Sequence, residues 1–150
     1  MDKSTTERRI LLHSMCMILA GLIWGLAIPQ TPFPRIALSA HIQYEVNGLL
    51  FIVLALVLIG AKPTIHGFSC RTLQIAAWLT WPMLLAATAN AWWGTNQMLP
   101  IAAQQAGASG GAAWQEVIVT ATHAIGGFAL VFAWVLLLIA LWRTEKLGAL

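Results

Sequence analysis

Four polar side chains that can hold a metal or move a proton lie within seven consecutive positions of an otherwise apolar stretch. They are His41, Tyr44, Glu45 and Asn47. A carboxylate or an amide beside a histidine can orient its imidazole ring, as the partners of metal-bound histidines do. At about 100° per residue the four side chains fall within an arc of about 160° on a helix. The spacing therefore predicts one helical face that carries chemistry.

The apolar stretch behind this face is too short to cross a bilayer by itself. Residues 47–61 number 15, and at ~1.5 Å each they extend ~22 Å against a hydrocarbon thickness of ~30 Å. The polar turn must then lie at membrane depth. Ionisable residues at that depth are costly and usually face the interior of a helix bundle, which favours a functional role.

A second polar stripe is predicted on the last apolar segment. Glu116, Thr120, His123 and Gly127 follow one another at intervals of 4, 3 and 4 residues. Residues at these intervals lie along one side of a helix. The stripe begins at the same end of the bundle as His41, so we expect the two faces to meet.

Side chains at the end of the third segment complete the predicted pocket, because the connections bring that end beside the starts of the second and fourth segments. The catalytic candidates are Asn47, Glu45, Tyr44 and Asn90. The candidates for substrate binding are Trp92, Trp93 and Glu116. The candidates for cofactor binding are His41, His13 and His123, with His41 as the metal ligand.

Most of these residues also have a purely structural explanation. The aromatic side chains fit the interfacial belt of membrane proteins. Glu116 fits the N-terminus of a helix, and His13 and His123 fit hydrogen-bonded interior histidines. His41 is the hardest to explain in this way, because it shares its turn with a carboxylate and an amide.

The elements that position these residues follow from composition. The chain has 150 residues, of which 59% are hydrophobic and 9% charged, with a mean hydropathy of +0.78. This balance excludes an ordinary soluble domain and predicts an all-α integral membrane protein. Four apolar segments, at about 10–28, 41–61, 73–93 and 117–142, are each near or above the ~20 residues of a spanning helix. Residues 1–150 are therefore predicted to form a single four-helix transmembrane domain.

The formal charge of +3 does not indicate a nucleic-acid partner, because the basic residues lie at the ends of the apolar segments. One side carries Lys3, Arg8, Arg9, Lys62, Arg71, Arg143 and Lys146, and the other carries Arg35. The positive-inside rule then places both termini, and the connection at 62–71, in the cytoplasm.

Proline and glycine mark the connections. The prolines within residues 29–34 predict a stiff, extended crossing between the first two helices. Residues 94–113 contain Pro100 and a glycine-rich run, which predicts a long mobile loop. Pro82 predicts a kink in the third helix.

Two pairs of glycines are predicted to lie where helices approach closely. Gly21 and Gly25 are four residues apart, and Gly126 and Gly127 offer a second small surface on the last helix. Such glycines pack helices either within one chain or between copies of it.

A single histidine without a nearby cysteine or second histidine makes a poor zinc site, since zinc generally takes three or four protein ligands. Haem iron needs only one axial imidazole, which leaves the opposite position open to a substrate oxygen. If His41 and either His13 or His123 both held the iron, the site would be a closed electron carrier. A third possibility is a haem-free enzyme that uses Glu45 and Glu116 for acid-base chemistry.

Several short motifs resemble the small bacterial hydroxylaminobenzene mutase family. They are residues 36–41 leading to Asn47-Gly48, then 89–94, 98–103 and 114–116, with residues 13–25 in the first helix. The spacings from His41 to Asn47 and from His13 to Trp24-Gly25 are also similar to styrene oxide isomerase. The third helix differs, because it has no aspartate or tyrosine after Thr80, where that isomerase places them.

The resemblance implies a four-helix enzyme of the bacterial inner membrane that binds haem b between the protomers of a homotrimer. In this reading His41 is the axial ligand and Asn47 a hydrogen-bond donor on the distal side. The implied reaction is the isomerisation of an arylhydroxylamine, hydroxylaminobenzene, to an ortho-aminophenol. Glu45 or Asn47 would assist N–O cleavage while Trp92 and Trp93 hold the small aromatic substrate. The alternative is isomerisation of a styrene-oxide-type epoxide.

Overall fold

A computed structural model of the chain describes residues 3–61, 63, 65 and 67–148, with side chains described as far as residue 144. Those residues form five helices and no strand, and the structure is 87% helical. The helices are α1 (Lys3–Ala27), α2 (Pro34–Gly60), α3 (Gly67–Trp93), α4 (Pro100–Ala106) and α5 (Ala113–Gly148). The four long ones are each apolar enough to cross a membrane. The all-α, four-span prediction is confirmed.

Each long helix begins earlier in the chain than hydropathy predicts. The reason is clearest at α2, which begins at Pro34 instead of His41. Proline is tolerated in the first turn of a helix, where its missing N–H has no partner in any case. His41 therefore lies two turns inside a rigid helix, and its position is not set by a loop.

The crossing between α1 and α2 is not the fully extended segment that the prolines predict. Ile28–Gln30 form a turn of 3₁₀ helix, and the Thr31 hydroxyl donates to the Ile28 carbonyl at 2.8 Å. The proline at position 29 fits because it stands in the first turn of that short helix. The crossing is compact, and it brings the end of α1 directly against the start of α2.

The helices run alternately up and down, with α2 and α3 in the centre. Half of the most apolar window of α3 is buried, against 22% for α1 and for α5. The outward side chains of the two outer helices are large and apolar, with Leu26 79% exposed and Phe128 77%. An apolar outer surface of this extent is what a lipid bilayer requires and water does not favour.

The described polar contacts place the start of α1 beside the connection between α2 and α3. Lys3 Nζ donates to the Pro63 carbonyl at 3.2 Å. At the opposite end Arg35 Nε donates to Gln105 Oε1 at 2.7 Å. Lys62 lies outside the described residues, as does the side chain of Lys146. The two ends of the bundle therefore differ in the way the charge pattern predicts, while their orientation in a membrane stays a prediction.

The small residues predicted at helix interfaces pack helices within the chain. A Cβ built on Gly21 would lie 2.8 Å from Tyr44 Cβ on α2, and one on Gly126 would lie 3.1 Å from Met83 Cβ on α3. Gly127 has no described side chain or distant backbone within 4 Å of such a Cβ. Of these positions, Gly127 alone is open on its outer side.

We expect Gly21→Ala to destabilise the protein by about 1–3 kcal/mol, because the added methyl group must push α1 away from α2. Gly127→Ala is the matched control, since it meets open space and gains helix propensity of up to about 1 kcal/mol. Thermal unfolding in detergent, followed by circular dichroism, compares the two variants. Equal melting temperatures would contradict the close crossing.

The connection from α3 to α5 is more ordered than predicted. It contains α4, and Gly94, Gly107 and Gly110 have positive φ values of 63°, 70° and 112°. Glycine adopts this left-handed backbone without the steric cost that a side chain adds. The connection is also tied to the first turn of α5 by Glu116, as described below.

Candidate functional site

His41 projects from α2 onto the last turns of α1 and is half-buried. Its Nδ1 lies 2.8 Å from the Gly21 carbonyl oxygen. A carbonyl can only accept a hydrogen bond, so Nδ1 must carry the proton. In the neutral ring Nε2 then keeps its lone pair, which is the state that binds a metal.

Two residues of α1 make room for the imidazole and fix its surroundings. A Cβ on Gly25 would lie 3.2 Å from His41 Nδ1, so a larger residue would push against the ring. Trp24 Nε1 donates to the Ala37 carbonyl at 2.9 Å, one turn before His41 on α2. The sequence places Trp24 and Gly25 in a motif, but their function as the support of His41 is visible only in the structure.

Glu45 lies one helical turn beyond His41 and faces the same helix. A Cβ on Gly21 would lie 2.6 Å from Glu45 Oε1, which shows how closely the carboxyl group contacts α1. This buried oxygen has no hydrogen-bond partner among the described residues. A buried polar atom of this kind is costly unless a ligand or another group satisfies it. The predicted His41–Glu45 face is thus directed at α1, away from lipid.

Tyr44 shares this turn but extends toward α3. It is 4% exposed, and its hydroxyl accepts a hydrogen bond from Thr88 Oγ1 at 3.3 Å. Its ring packs against Trp81 with centroids 6.5 Å apart. These contacts give Tyr44 a place in the core, and its catalytic role stays a prediction.

Asn47 is 7% exposed and bonded within its own helix. Its Nδ2 donates to the Gln43 carbonyl at 2.8 Å, while the buried Oδ1 has no partner in the described part of the chain. In this rotamer Asn47 offers an acceptor, whereas the resemblance implies a donor. A donor role requires the side chain to turn when a substrate binds.

His13 differs from His41 in its hydrogen bonding. Trp81 Nε1 donates to His13 Nδ1 at 3.0 Å, so in the neutral ring the proton lies on Nε2. His13 also precedes Gly21 by eight residues, which is ~12 Å along a helix. It therefore lies well away from the level of His41 and is not in position to share one iron with it inside a single chain.

His123 is engaged at both ring nitrogens. Nδ1 lies 2.7 Å from the Val119 carbonyl, and Nε2 lies 3.1 Å from Gln43 Oε1. Gln43 is two residues from His41, so it projects from a different side of α2. Of the three histidines that the structure describes, His41 alone combines a protonated Nδ1 with an Nε2 that has no protein partner.

The two tryptophans predicted to close the pocket contact different helices. Trp92 packs against Trp24 at 5.5 Å, and Trp93 against Trp114 at 5.2 Å. The two side chains diverge because successive helical positions differ by about 100°. Trp92 thus belongs to the His41 side of the bundle, and Trp93 belongs to the α5 side.

Asn90 is fully buried at the end of α3. Its Oδ1 accepts from the Thr95 backbone N–H at 2.8 Å, which holds the turn that leaves the helix. Its Nδ2 is buried and has no partner among the residues described. The contacts show a structural role for the oxygen, while the nitrogen is buried without a partner in the described residues and the catalytic role of Asn90 stays a prediction.

Glu116 is 4% exposed and accepts hydrogen bonds from three backbone N–H groups of the connection that precedes α5. Oε1 accepts from Asn96 at 2.9 Å and Gly111 at 3.0 Å, and Oε2 accepts from Gln97 at 3.1 Å. Charged acceptors make the stronger class of hydrogen bond. Glu116 therefore fastens the loop, a function that the sequence does not indicate.

Comparison with known proteins gives two matches. The family profile described as styrene oxide isomerase matches residues 6–142. Hydroxylaminobenzene mutase HabB of Ectopseudomonas oleovorans is 31% identical over 119 residues, which is 75% of this chain and 66% of that protein. The chain thus matches slightly less than two thirds of the relative's length. No solved structure gives a significant match.

Proposed function

The chain belongs to the styrene oxide isomerase family, and from that premise we propose that it isomerises an arylhydroxylamine to an ortho-aminophenol. The N–O bond breaks, a C–O bond forms at the adjacent ring carbon, and the proton of that carbon moves to nitrogen. No net oxidation or reduction takes place. The mutase name of the 31% identical relative favours this substrate.

The observation that carries the proposal is the pairing of His41 with Glu45 against α1. The imidazole presents an unprotonated nitrogen, and one turn away a carboxyl oxygen is buried without a protein partner. Side chains four residues apart on a helix are neighbours, with Cβ atoms ~6 Å apart. A ligand atom and a proton-transfer group can thus act on the same small molecule.

We further propose that His41 holds haem b. The residues fit this cofactor, because the Gly21 carbonyl keeps Nδ1 protonated and Nε2 free. The side of α2 next to His41 also exposes large apolar side chains, including Leu38 at 39% and Ile42 at 49%, which suit a porphyrin face. His41 would hold this haem, and the haem would supply a Lewis-acidic iron to the reaction.

The remaining residues orient the substrate and handle its proton. The unpartnered Glu45 oxygen can bind the N–H or O–H of a hydroxylamine, and Asn90 Nδ2 can donate to an oxygen. The Trp24–Trp92 pair offers ring faces to the arene, each worth ~0.5–2 kcal/mol against a developing cation. A site within the bilayer also excludes bulk water, which favours return of the oxygen to the ortho carbon.

The alternatives predict different structures or products. A bis-histidine electron carrier requires two free imidazoles at one level, whereas His13 and His123 are bonded to Trp81 and Gln43. A haem-free enzyme using two carboxylates requires a free Glu116, whose oxygens hold the loop. Epoxide isomerisation is the second candidate function, because the family profile carries that name.

The experiment is to incubate membranes containing the protein with phenylhydroxylamine, and separately with styrene oxide, in ¹⁸O-labelled water. We expect 2-aminophenol without solvent oxygen, because the hydroxyl group returns to the same ring. Mass spectrometry of the products measures both the isomer and the label. Labelled 4-aminophenol at the rate of empty membranes would refute the mutase, and phenylacetaldehyde from styrene oxide would favour the epoxide reaction.

Glu45→Gln is expected to lower kcat by about 100-fold with little change in KM, because general acid-base groups contribute this much to rate. Initial rates of 2-aminophenol formation provide the measurement. The matched control is Glu7→Gln, which removes a carboxylate that is paired with Lys3 at the other end of α1. An unchanged rate in Glu45→Gln would assign that carboxyl group to packing alone.

We propose that the reaction takes place in the inner membrane of a bacterium, where the protein forms a homotrimer. Both termini lie in the cytoplasm in this proposal, in accord with the basic residues at the start of α1. The substrate is a small apolar aromatic molecule, which enters from the lipid bilayer.

A further inference from the structure

A cavity lies between α1 and α3, away from His41. Its volume is ≈ 470 Å³, and Trp78, Trp81, His13, Cys16 and Gln74 are among the residues that line it. The volume falls within the ~300–1,000 Å³ of small-molecule sites. His13 lies ~12 Å along α1 from Gly21, the residue that contacts His41. The cavity and the surroundings of His41 are therefore distinct.

Gln74 is the unusual member of this lining. It is 7% exposed, and neither its amide nitrogen nor its amide oxygen has a partner among the described residues. Burying an unpaired amide is costly, so native structures seldom keep one without a reason. An amide that is unpaired at both atoms matches a ligand group that both donates and accepts.

The aromatic lining is already held in place. Trp81 donates to His13 Nδ1 at 3.0 Å, and the His13 ring meets Trp78 edge-on at 4.7 Å. Since Nδ1 of His13 accepts, the neutral ring carries a proton on Nε2 and can donate from there. The indoles supply flat apolar surfaces that suit an aromatic ring.

We propose that this cavity binds a small neutral aromatic molecule whose polar substituent pairs with Gln74. The ring lies against Trp78 and Trp81, and a hydroxyl or amino group exchanges hydrogen bonds with the amide. A lipid acyl chain is the less suitable occupant, because it leaves the Gln74 amide unpaired. The proposal involves no chemical step and does not depend on the isomerisation.

Cys16 reports on occupancy, because it lines the cavity and is exposed, whereas Cys70 is 2% exposed. The purified protein in detergent is treated with N-ethylmaleimide under anaerobic conditions, and labelling of each cysteine is followed by peptide mass spectrometry. We expect saturating 2-aminophenol to slow labelling of Cys16 by about fivefold or more. Toluene, which has the ring without the polar groups, should protect at about tenfold higher concentration, equivalent to ~1.4 kcal/mol.

Gln74→Leu is the decisive variant. It should raise the concentration of 2-aminophenol needed for protection about tenfold, leave protection by toluene unchanged, and raise the melting temperature. A stabilised variant is expected because an unsatisfied amide is replaced by an apolar group of similar size. Should Gln74→Leu fail to fold, Trp78→Leu replaces it, since Trp78 is 62% exposed and its loss should weaken protection by both molecules.

His41→Ala separates this proposal from the proposed function. Protection of Cys16 by 2-aminophenol should be unchanged in that variant, whether or not the isomerisation occurs. Three results would overturn the proposal: loss of protection in His41→Ala, equal protection by 2-aminophenol in wild type and Gln74→Leu, or equal potency of toluene and 2-aminophenol. The last result would identify an apolar crevice that lipid occupies.

Discussion

His41→Ala is expected to abolish the haem Soret band of the purified protein and the isomerisation with it. The variant removes the described imidazole whose Nε2 is both unprotonated and without a protein partner. If haem binds as proposed, the variant would leave its iron without the imidazole ligand, and the cofactor would dissociate during purification. The measurements are the haem-to-protein ratio by absorption and the yield of 2-aminophenol.

The controls for this prediction use a histidine of another long helix, His123, and added imidazole in place of the missing ligand. His123→Gln should keep its haem, because His123 is bonded to Val119 and Gln43. Added imidazole should restore part of the Soret band to His41→Ala, since it can occupy the space that the side chain leaves. Full haem content in His41→Ala, or loss of haem in His123→Gln, would move the ligand to another residue.

Glu116→Ala is expected to lower the free energy of unfolding by about 3 kcal/mol, because it removes the acceptor of three backbone N–H groups. The loop at 94–112 should then become a site of proteolysis. Glu116→Gln should have an intermediate effect, since the amide keeps one oxygen as acceptor. Thermal unfolding in detergent and limited digestion with elastase, which cleaves after small residues such as those of this loop, provide the two readouts.

A matched loss of charge is available at Glu7, whose 3.8 Å ion pair with Lys3 is partly exposed, with 29% of the Lys3 side chain and 19% of the Glu7 side chain accessible. Glu7→Ala should cost less than about 1 kcal/mol, because a single ion pair that water still reaches contributes little. A Glu116→Ala variant that is as stable as wild type but has a raised KM would restore Glu116 to the substrate-binding role that the sequence predicts.

The hydrogen-bond partner of each described histidine determines which ring nitrogen can bind a metal. Gly21, Trp81 and Gln43 contact His41, His13 and His123 in turn. A carbonyl acceptor at Nδ1 frees Nε2 for a metal, whereas an indole donor at Nδ1 places the proton on Nε2. The three described imidazoles on the long apolar helices are therefore chemically different.

Several features of this protein could be predicted from local sequence. The four spans follow from hydropathy and length, because a helix that crosses lipid must satisfy its own backbone and present apolar side chains. The shared face of His41 and Glu45 follows from the helical period. The starts of the four long helices were not predicted, and the reason is clearest at Pro34, since hydropathy does not register that proline starts a helix well.

The tertiary structure determines which partner each polar group contacts. The state of His41 depends on the Gly21 carbonyl, 20 residues away, and the role of Glu116 depends on backbone N–H groups up to 20 residues before it. Trp92 and Trp93, adjacent in sequence, reach opposite helices. Residue type and period describe a helix by itself, whereas a hydrogen bond between helices depends on how closely they cross, which here is set by glycines on α1.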